Sequence, residues 1–363
     1  MKIIELSLAR NYVANWTLVD AIRELIANAL DTGNADIYFS GSTLTVQTSS
    51  GAIPLEHLLL GSGSKTEDTD TIGQFNEGLK LALLILAREG IKNSITNGDE
   101  TWTPYITKSD TFGIDCLHIN IEGYVGDGEH ESDEVTFILE NLPLDVVTSV
   151  TARNLCFHED LDLIETDNGD IIKDGYMKGQ VFCGGVWVCE DSQFDYGYNF
   201  NTDILKLDRD RKTVSTFDIS YQTKELWKLV DEDNSGELVK AIISSKEDTR
   251  YLNHHTHSIS KSVANSVLDE VSDELDEDTV IVGSYDEHES LRSSGVKSKY
   301  ISNETVISII KKADNYKNPQ DYMTKSLNPM DILVDFADEW ADNMDSDLAD
   351  AYQEMLIKLE NLI

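Results

Sequence analysis

The segment IRELIANALDTG, residues 22–33, carries three polar side chains whose spacing could serve chemistry. Glu24, Asn28 and Asp31 are four and three residues apart, so they share one face of a helix that is otherwise built mainly of Ile, Leu and Ala. Two interpretations stay open for this stripe. It is either a solvated polar face, as on many amphipathic helices, or part of a magnesium–nucleotide site.

A second segment, IGQFNEGLK at 72–80, has the features of a phosphate-binding loop. Gly73 and Gly78 bracket a loop directly before a predicted helix N-terminus, and Lys80 lies in the first turn. Backbone N–H groups and the helix dipole attract anions there, and glycines allow close approach of the backbone. Each motif alone is weak, but their order along the chain makes them a joint signal for a nucleotide site.

The predicted secondary structure around these motifs has the order helix, two strands, loop, helix, strands. The first helix runs from Leu18 to Leu30 with Thr17 as its N-cap, and a strong apolar helix pattern begins at Gly78. This order predicts an α+β sandwich with one mixed sheet covered by helices on one face. Six strands are predicted, at 35–40, 43–48, 92–96, 101–107, 115–123 and 134–140, and a further helix near 143–156.

The rest of the chain is predicted to be a smaller β-rich segment and a mainly helical region. The β-rich segment covers 165–215, where GQVFCGGVWV is expected to pair with YGYNFNTDILKL. A strand at 279–284 and a helix at 303–313 suggest a small α/β unit. Further helices are predicted at 217–231, 236–245, 259–275 and within 329–363. These patterns predict three domains, at 1–160, 161–250 and 251–363.

The formal net charge of −38, from 67 acidic and 29 basic residues, is the dominant feature of the composition. Such a surface repels nucleic-acid phosphates and anionic membranes, which argues against direct nucleic-acid binding. The longest apolar run, LALLILA at 81–87, is too short to span a membrane. The four cysteines lack metal-type spacing and are typical of a reduced, cytoplasmic protein.

The two motifs together resemble the GHKL ATPase superfamily, which includes DNA gyrase B subunits, MutL, large heat-shock chaperones, histidine kinases and the MORC ATPases. RELIANALD is similar to its first motif, and IGQFNEGLK is similar to its glycine-rich lid motif. GSGSK at 61–65 resembles the lid of the MORC-like branch. The resemblance covers roughly residues 15–140 and implies a Bergerat-type ATP-binding sandwich with ATP and Mg²⁺ as cofactors.

The resemblance also implies roles for individual residues. Glu24 would be the general base that orients and deprotonates the attacking water. Asn28 would be the Mg²⁺ ligand, and Asp31 would support it by hydrogen bonding. Slow hydrolysis would drive a conformational cycle, with dimerisation or contact with a protein partner. The phosphates would be wrapped by Gly73, Gly78, Lys80, Ser64 and Lys65.

This sequence departs from the superfamily at the second motif, which is usually DxGxG. The corresponding segment here is LTVQTSSGAIP at 44–54. The aspartate of that motif normally positions the adenine amino group, and Thr48 occupies that place, with Ser50 and Ala52 instead of the glycines. A threonine hydroxyl can accept a hydrogen bond but has no charge to strengthen it. Weakened ATP binding, an altered base preference and a fold kept for a non-enzymatic role all remain open.

The alternative function belongs to a different class of protein. The acidic surface and the missing aspartate also suit an interaction or inhibitor protein that uses a degenerate ATPase scaffold. Such a protein would bind a basic partner and could imitate DNA in a DNA-binding groove.

Overall fold

The computed structural model describes residues 1–59, 77–123, 132–205, 215–244, 247–323, 348–349 and 351–355. The chain divides into two compact units. One comprises Met1–Ser235 with Glu247–Arg250, and the other comprises Gly236–Lys246 with Tyr251–Ile363. The predicted division into three domains stays a prediction.

A seven-stranded sheet forms the centre of the first unit, with the strand order β1-β6-β5-β4-β7-β3-β2. Its strands are β1 (Lys2–Ala9), β2 (Ala35–Ser40), β3 (Thr43–Thr48), β4 (Lys92–Asn97), β5 (Glu100–Lys108), β6 (Asp115–Glu122) and β7 (Val135–Glu140). The α+β class and six of these strands confirm the sequence analysis, whereas β1 was not predicted. The expected mixed pairing was wrong for this sheet, because every pairing among its described strands is antiparallel. Two-residue turns join β2 to β3 and β4 to β5, and such short turns permit only antiparallel neighbours.

Three helices pack on this sheet and enclose the main hydrophobic core. They are α1 (Leu18–Leu30), α2 (Gly78–Arg88) and α3 (Leu144–Ala152). Helix α1 begins at the predicted N-cap, where the Thr17 hydroxyl accepts from the Asp20 N–H and the Asp20 carboxylate accepts from the Thr17 N–H. The core is formed by the apolar faces of α1 and α2 and by inward-facing strand residues such as Leu44, Ile95 and Ile119.

A five-stranded sheet follows, with the order β11-β10-β12-β9-β8. Its strands are β8 (Leu163–Thr166), β9 (Gly169–Ile172), β10 (Gln180–Cys183), β11 (Val186–Glu190) and β12 (Gly197–Phe200), and α4 (Thr216–Lys228) comes next. The predicted pairing of the two segments is confirmed, since β10 pairs with β12 in parallel. The other pairings of this sheet are antiparallel.

The second unit is mainly helical. Strands β13 (Val280–Val282) and β14 (Ser298–Tyr300) pair in parallel and are connected by a helix, as in a small βαβ unit. Most of 329–363 lies outside the described residues. Across the described part of the chain, no helix has the length and apolar character that crossing a membrane requires. The helices are α5 (Ser235–Ser244), α6 (Lys261–Ser272), α7 (Tyr285–Ser293), α8 (Glu304–Ile310) and α9 (Pro319–Tyr322).

Candidate functional site

A cavity of about 320 Å³ lies in the first unit, beside α1, the start of α2 and strands β3 and β7. Four residues that the sequence analysis selected line it together: Glu24 and Asn28 from α1, Thr48 from β3 and Gly78 from α2. Glu24 and Asn28 are one helical turn apart, so both reach the same cavity from one face of α1. The fold therefore brings residues from three separate segments to one site.

Two of the other selected residues, Asp31 and Lys80, are described by the structure but do not line this cavity. Asp31 is the C-cap of α1 and does not line the cavity. Lys80 is fully buried, and its ammonium donates a hydrogen bond to the Leu59 carbonyl oxygen at 2.5 Å. Burial lowers the pKa of Lys80, while the charge of Glu77 acts in the opposite direction. The remaining three selected residues, Ser64, Lys65 and Gly73, lie outside the described residues.

Glu24 is held by an ion pair along α1. Glu24 is only 4% exposed to solvent. Its Oε1 accepts two hydrogen bonds from the Arg23 guanidinium, from Nη2 at 3.1 Å and from Nε at 3.4 Å. The same guanidinium contacts the Asp20 carboxylate at 3.5 Å and lies 5.7 Å from the centre of the Trp16 ring. The partner charge offsets the cost of burying a carboxylate, which would otherwise be several kcal/mol.

The second oxygen of Glu24 lies against the first residue of α2. A Cβ added to Gly78 would be 2.3 Å from Glu24 Oε2, far inside van der Waals contact, so a larger residue there would force the Glu24 carboxylate to shift. The N-terminus of a helix carries N–H groups without intrahelical partners and a partial positive charge, and both favour a carboxylate. The start of α2 therefore already lies against an anionic group of the protein.

A buried asparagine that the sequence analysis did not select fixes one wall of the cavity. Asn97 is fully buried; its Oδ1 accepts from the Ile53 N–H at 2.6 Å and its Nδ2 donates to the Ile53 carbonyl at 3.0 Å. Ile53 lines the cavity, as does Gly51, whose φ of +102° and whose hydrogen bond to the Asp133 carbonyl shape the same segment. Asn97 ends β4, and nothing in its local sequence marks this contact 44 residues away.

The wall formed by β3 and β7 is largely apolar. Val46 and Thr48 face the same side of β3, and their cross-strand neighbours Phe137 and Val135 line the cavity with them. The charged residues on the described wall are two carboxylates, Glu24 and Glu77, with no Lys or Arg among the described lining residues. The sequence analysis did not select most of the other lining residues, among them Trp16, His57 and Glu77.

Two side chains of the cavity offer oxygen atoms that could bind a cation whose other ligands are water or phosphate oxygens. Glu24 and Asn28 supply carboxylate and amide oxygens, which are the ligands that Mg²⁺ prefers. The described residues contain no group of three or more His, Cys, Asp or Glu side chains that could hold a metal. The described part of the cavity thus offers a cation one or two protein oxygens, which is the number that Mg²⁺ commonly takes when phosphates and waters supply the rest.

Comparison with known proteins finds similarity to mycoplasmal proteins. Residues 146–233 match a family described as the Mycoplasma pneumoniae MPN635 N-terminal domain. An uncharacterized protein of Mycoplasma pneumoniae (strain ATCC 29342 / M129 / Subtype 1) is 25% identical over 242 residues, which cover 59% of this chain and 92% of the relative. The family match extends from within α3 to just beyond α4, so the cavity residues selected from the sequence lie outside it.

Proposed function

We propose that this chain binds ATP with Mg²⁺ in the cavity and hydrolyses it slowly, on a Bergerat-type fold formed by the seven-stranded sheet and helices α1 to α3. One observation carries the proposal. Glu24, Asn28, Thr48 and Gly78, which belong to three motifs of the GHKL pattern, line a single cavity of about 320 Å³. Chance stripes of polar residues on separate elements have no reason to converge on one cavity.

Two side chains of α1 would carry the chemistry. Asn28 would hold Mg²⁺ through its amide oxygen, and the metal would offset the negative charge that develops on the phosphate oxygens. Glu24 would accept a hydrogen bond from the attacking water and take its proton, with Arg23 fixing the orientation of the carboxylate. Glu24 and Asn28 are one helical turn apart, so the base and the metal ligand would act on the same nucleotide.

The lack of a cationic side chain on the described wall makes binding dependent on the metal. A triphosphate that met only Glu24 and Glu77 would be repelled, so Mg²⁺ and the N-terminus of α2 would supply the attraction. Ser64, Lys65 and Gly73 remain the proposed lid contacts, and Lys80 would reach a phosphate only after leaving the Leu59 carbonyl. Nucleotide binding would then promote dimerisation or contact with a protein partner.

Titration calorimetry with ATP at up to millimolar concentration, with Mg²⁺ and then with excess chelator, tests this proposal. We expect heat of binding only with Mg²⁺, and a change in fluorescence because Trp16 lines the cavity. Trp16→Phe should remove that signal while leaving the calorimetric affinity similar. Glu24→Gln should abolish hydrolysis and spare binding, whereas Asn28→Ala should weaken both. Absence of Mg²⁺-dependent binding at millimolar ATP would overturn the proposal.

A second candidate function is an acidic interaction or inhibitor protein on the same scaffold. The net charge of −38 and the two carboxylates on the described cavity wall favour it. Such a protein would capture a basic partner in a salt-sensitive manner, and neither Mg·ATP nor Glu24→Gln would alter that capture. A partner whose binding responds to Mg·ATP and to Glu24→Gln would favour the first function instead.

A further inference from the structure

We propose that Thr48 makes this site tolerant of the group at position 6 of a purine, so that amino and keto purine triphosphates bind with similar affinity. This inference rests on the proposed nucleotide binding and adds its base specificity. It depends on where the base would lie and on the hydrogen-bonding capacity of the Thr48 side chain, the polar group that β3 contributes to the cavity.

The base would lie against β3 and β7. Val46, Val135 and Phe137 give this wall an apolar surface on which a flat heterocycle buries its faces. The two carboxylates of the described wall come from α1 and from the residue directly before α2. The metal and the phosphates would lie beside those oxygens, and the apolar surface of β3 and β7, next to the wall formed by Gly51 and Ile53, would hold the base.

Thr48 is the polar side chain that β3 contributes to this wall. It is half-buried, and its cross-strand neighbours Ala35 and Val135 offer no side-chain hydrogen-bonding group. Among the described residues, the Thr48 hydroxyl has no hydrogen bond within the protein. A ligand in the cavity can therefore use both its donor and its acceptor capacity.

A hydroxyl and a carboxylate read the edge of a purine differently. A rotating hydroxyl accepts from the 6-amino group of adenine and donates to the 6-keto oxygen of hypoxanthine or guanine. A carboxylate only accepts, so it favours the amino group and repels the keto oxygen. With threonine at position 48, the electrostatic penalty against a keto purine is absent.

Competition calorimetry with Mg·ATP, Mg·ITP and Mg·GTP tests the inference, because ITP replaces the 6-amino group of ATP by a keto group without adding the 2-amino group. We expect the affinities for ATP and ITP to agree within about threefold in the parent protein. Thr48→Asp should shift the ratio toward ATP by about tenfold or more. Thr48→Val is the matched control, since it keeps the β-branched shape, removes the hydroxyl and should weaken both nucleotides by a similar factor.

The outcomes separate this inference from the function on which it rests. A parent protein that prefers ATP over ITP by more than about tenfold overturns the inference while leaving ATP binding intact. An unchanged ratio in Thr48→Asp, with a thermal unfolding curve like that of the parent, overturns it as well. Binding of none of the three nucleotides contradicts the proposed function itself.

Discussion

The Oε2 atom of Glu24 occupies the space that a side chain at Gly78 would need, with only 2.3 Å between it and an added Cβ. This contact joins the middle of α1 to the first residue of α2 and places a nearly buried carboxylate at the positive end of a helix. A side chain at position 78 would thus displace Glu24, a steric effect within the protein that is separate from any contact with a phosphate.

Gly78→Ala should displace Glu24 from the start of α2. We expect a loss of about 1 kcal/mol in the free energy of unfolding, because the Glu24 carboxylate must move out of its buried contact with α2. Hydrolysis should fall with it if Glu24 is the base. Chemical denaturation and a phosphate-release assay measure the two effects.

Gly236→Ala is the matched control, since Gly236 also lies in the first turn of a helix and an added Cβ would meet nothing within 4 Å. Alanine has the higher helix propensity, so this variant should keep or gain about 0.5 kcal/mol of stability. Equal stability of the two variants would contradict the steric role of Gly78.

Arg23→Met should destabilise the protein by removing the positive charge that lies 3.1 Å from the buried Glu24 carboxylate. The expected loss in the free energy of unfolding is about 3 kcal/mol, at the low end for breaking a buried pair because the N-terminus of α2 also attracts the carboxylate. The double variant Arg23→Met with Glu24→Gln should recover much of the loss, as a double-mutant cycle would reveal. Strict additivity of the two changes would contradict the pairing.

Asn97→Ala should weaken the binding of Mg·ATP although Asn97 does not line the cavity. Its side chain makes two hydrogen bonds to Ile53, and their loss frees the wall segment and leaves buried polar groups unpaired, at a cost of about 2 kcal/mol. Asn93→Ala, at the other end of β4, removes a hydrogen bond to the Ile91 carbonyl away from the cavity. Calorimetry should show weaker binding for Asn97→Ala alone; a similar loss in both variants would contradict the positioning role.

A buried network in the first unit predicts a dependence of stability on pH. Asp248 is fully buried and accepts hydrogen bonds from the Asp195 N–H at 2.9 Å, the Tyr196 N–H at 3.3 Å and the Tyr198 hydroxyl. The Tyr198 oxygen in turn accepts from the Trp227 indole at 3.0 Å. Burial raises the pKa of Asp248 to about 6, although these hydrogen bonds act in the opposite direction.

A carboxyl group whose pKa is raised by folding binds its proton more tightly in the folded protein. Its stabilising contribution is therefore complete below the unfolded pKa of about 4 and is lost as the pH rises through about 6. Between about pH 5 and pH 7.5, the free energy of unfolding of the parent relative to Asp248→Asn should fall by about 1 kcal/mol. Chemical denaturation of both proteins at the two pH values measures this difference; a constant or rising difference would contradict the raised pKa.

The amino-acid sequence by itself determined the local elements and the candidate chemistry. Thr17 and the apolar spacing after it predicted α1 with its cap, and the alternating patterns at 35–40 and 43–48 predicted β2 and β3 with the bounds that the structure has. These signals are short-range, because capping, periodicity and turn chemistry involve residues a few positions apart. The same spacing identified Glu24 and Asn28 as neighbours on one face of a helix.

Only the tertiary structure decided which of these elements meet. In the structure, β1 lies at the edge of an antiparallel sheet, and Lys80 binds the Leu59 carbonyl instead of lining the cavity. Asn97 contacts Ile53, and Gly78 contacts Glu24. Hydrophobic periodicity predicts which face of a helix or strand is buried, but it does not predict which other element packs against that face. Contacts between residues tens of positions apart are selected by the packing of the whole core, where shape and hydrogen-bonding demands are satisfied together.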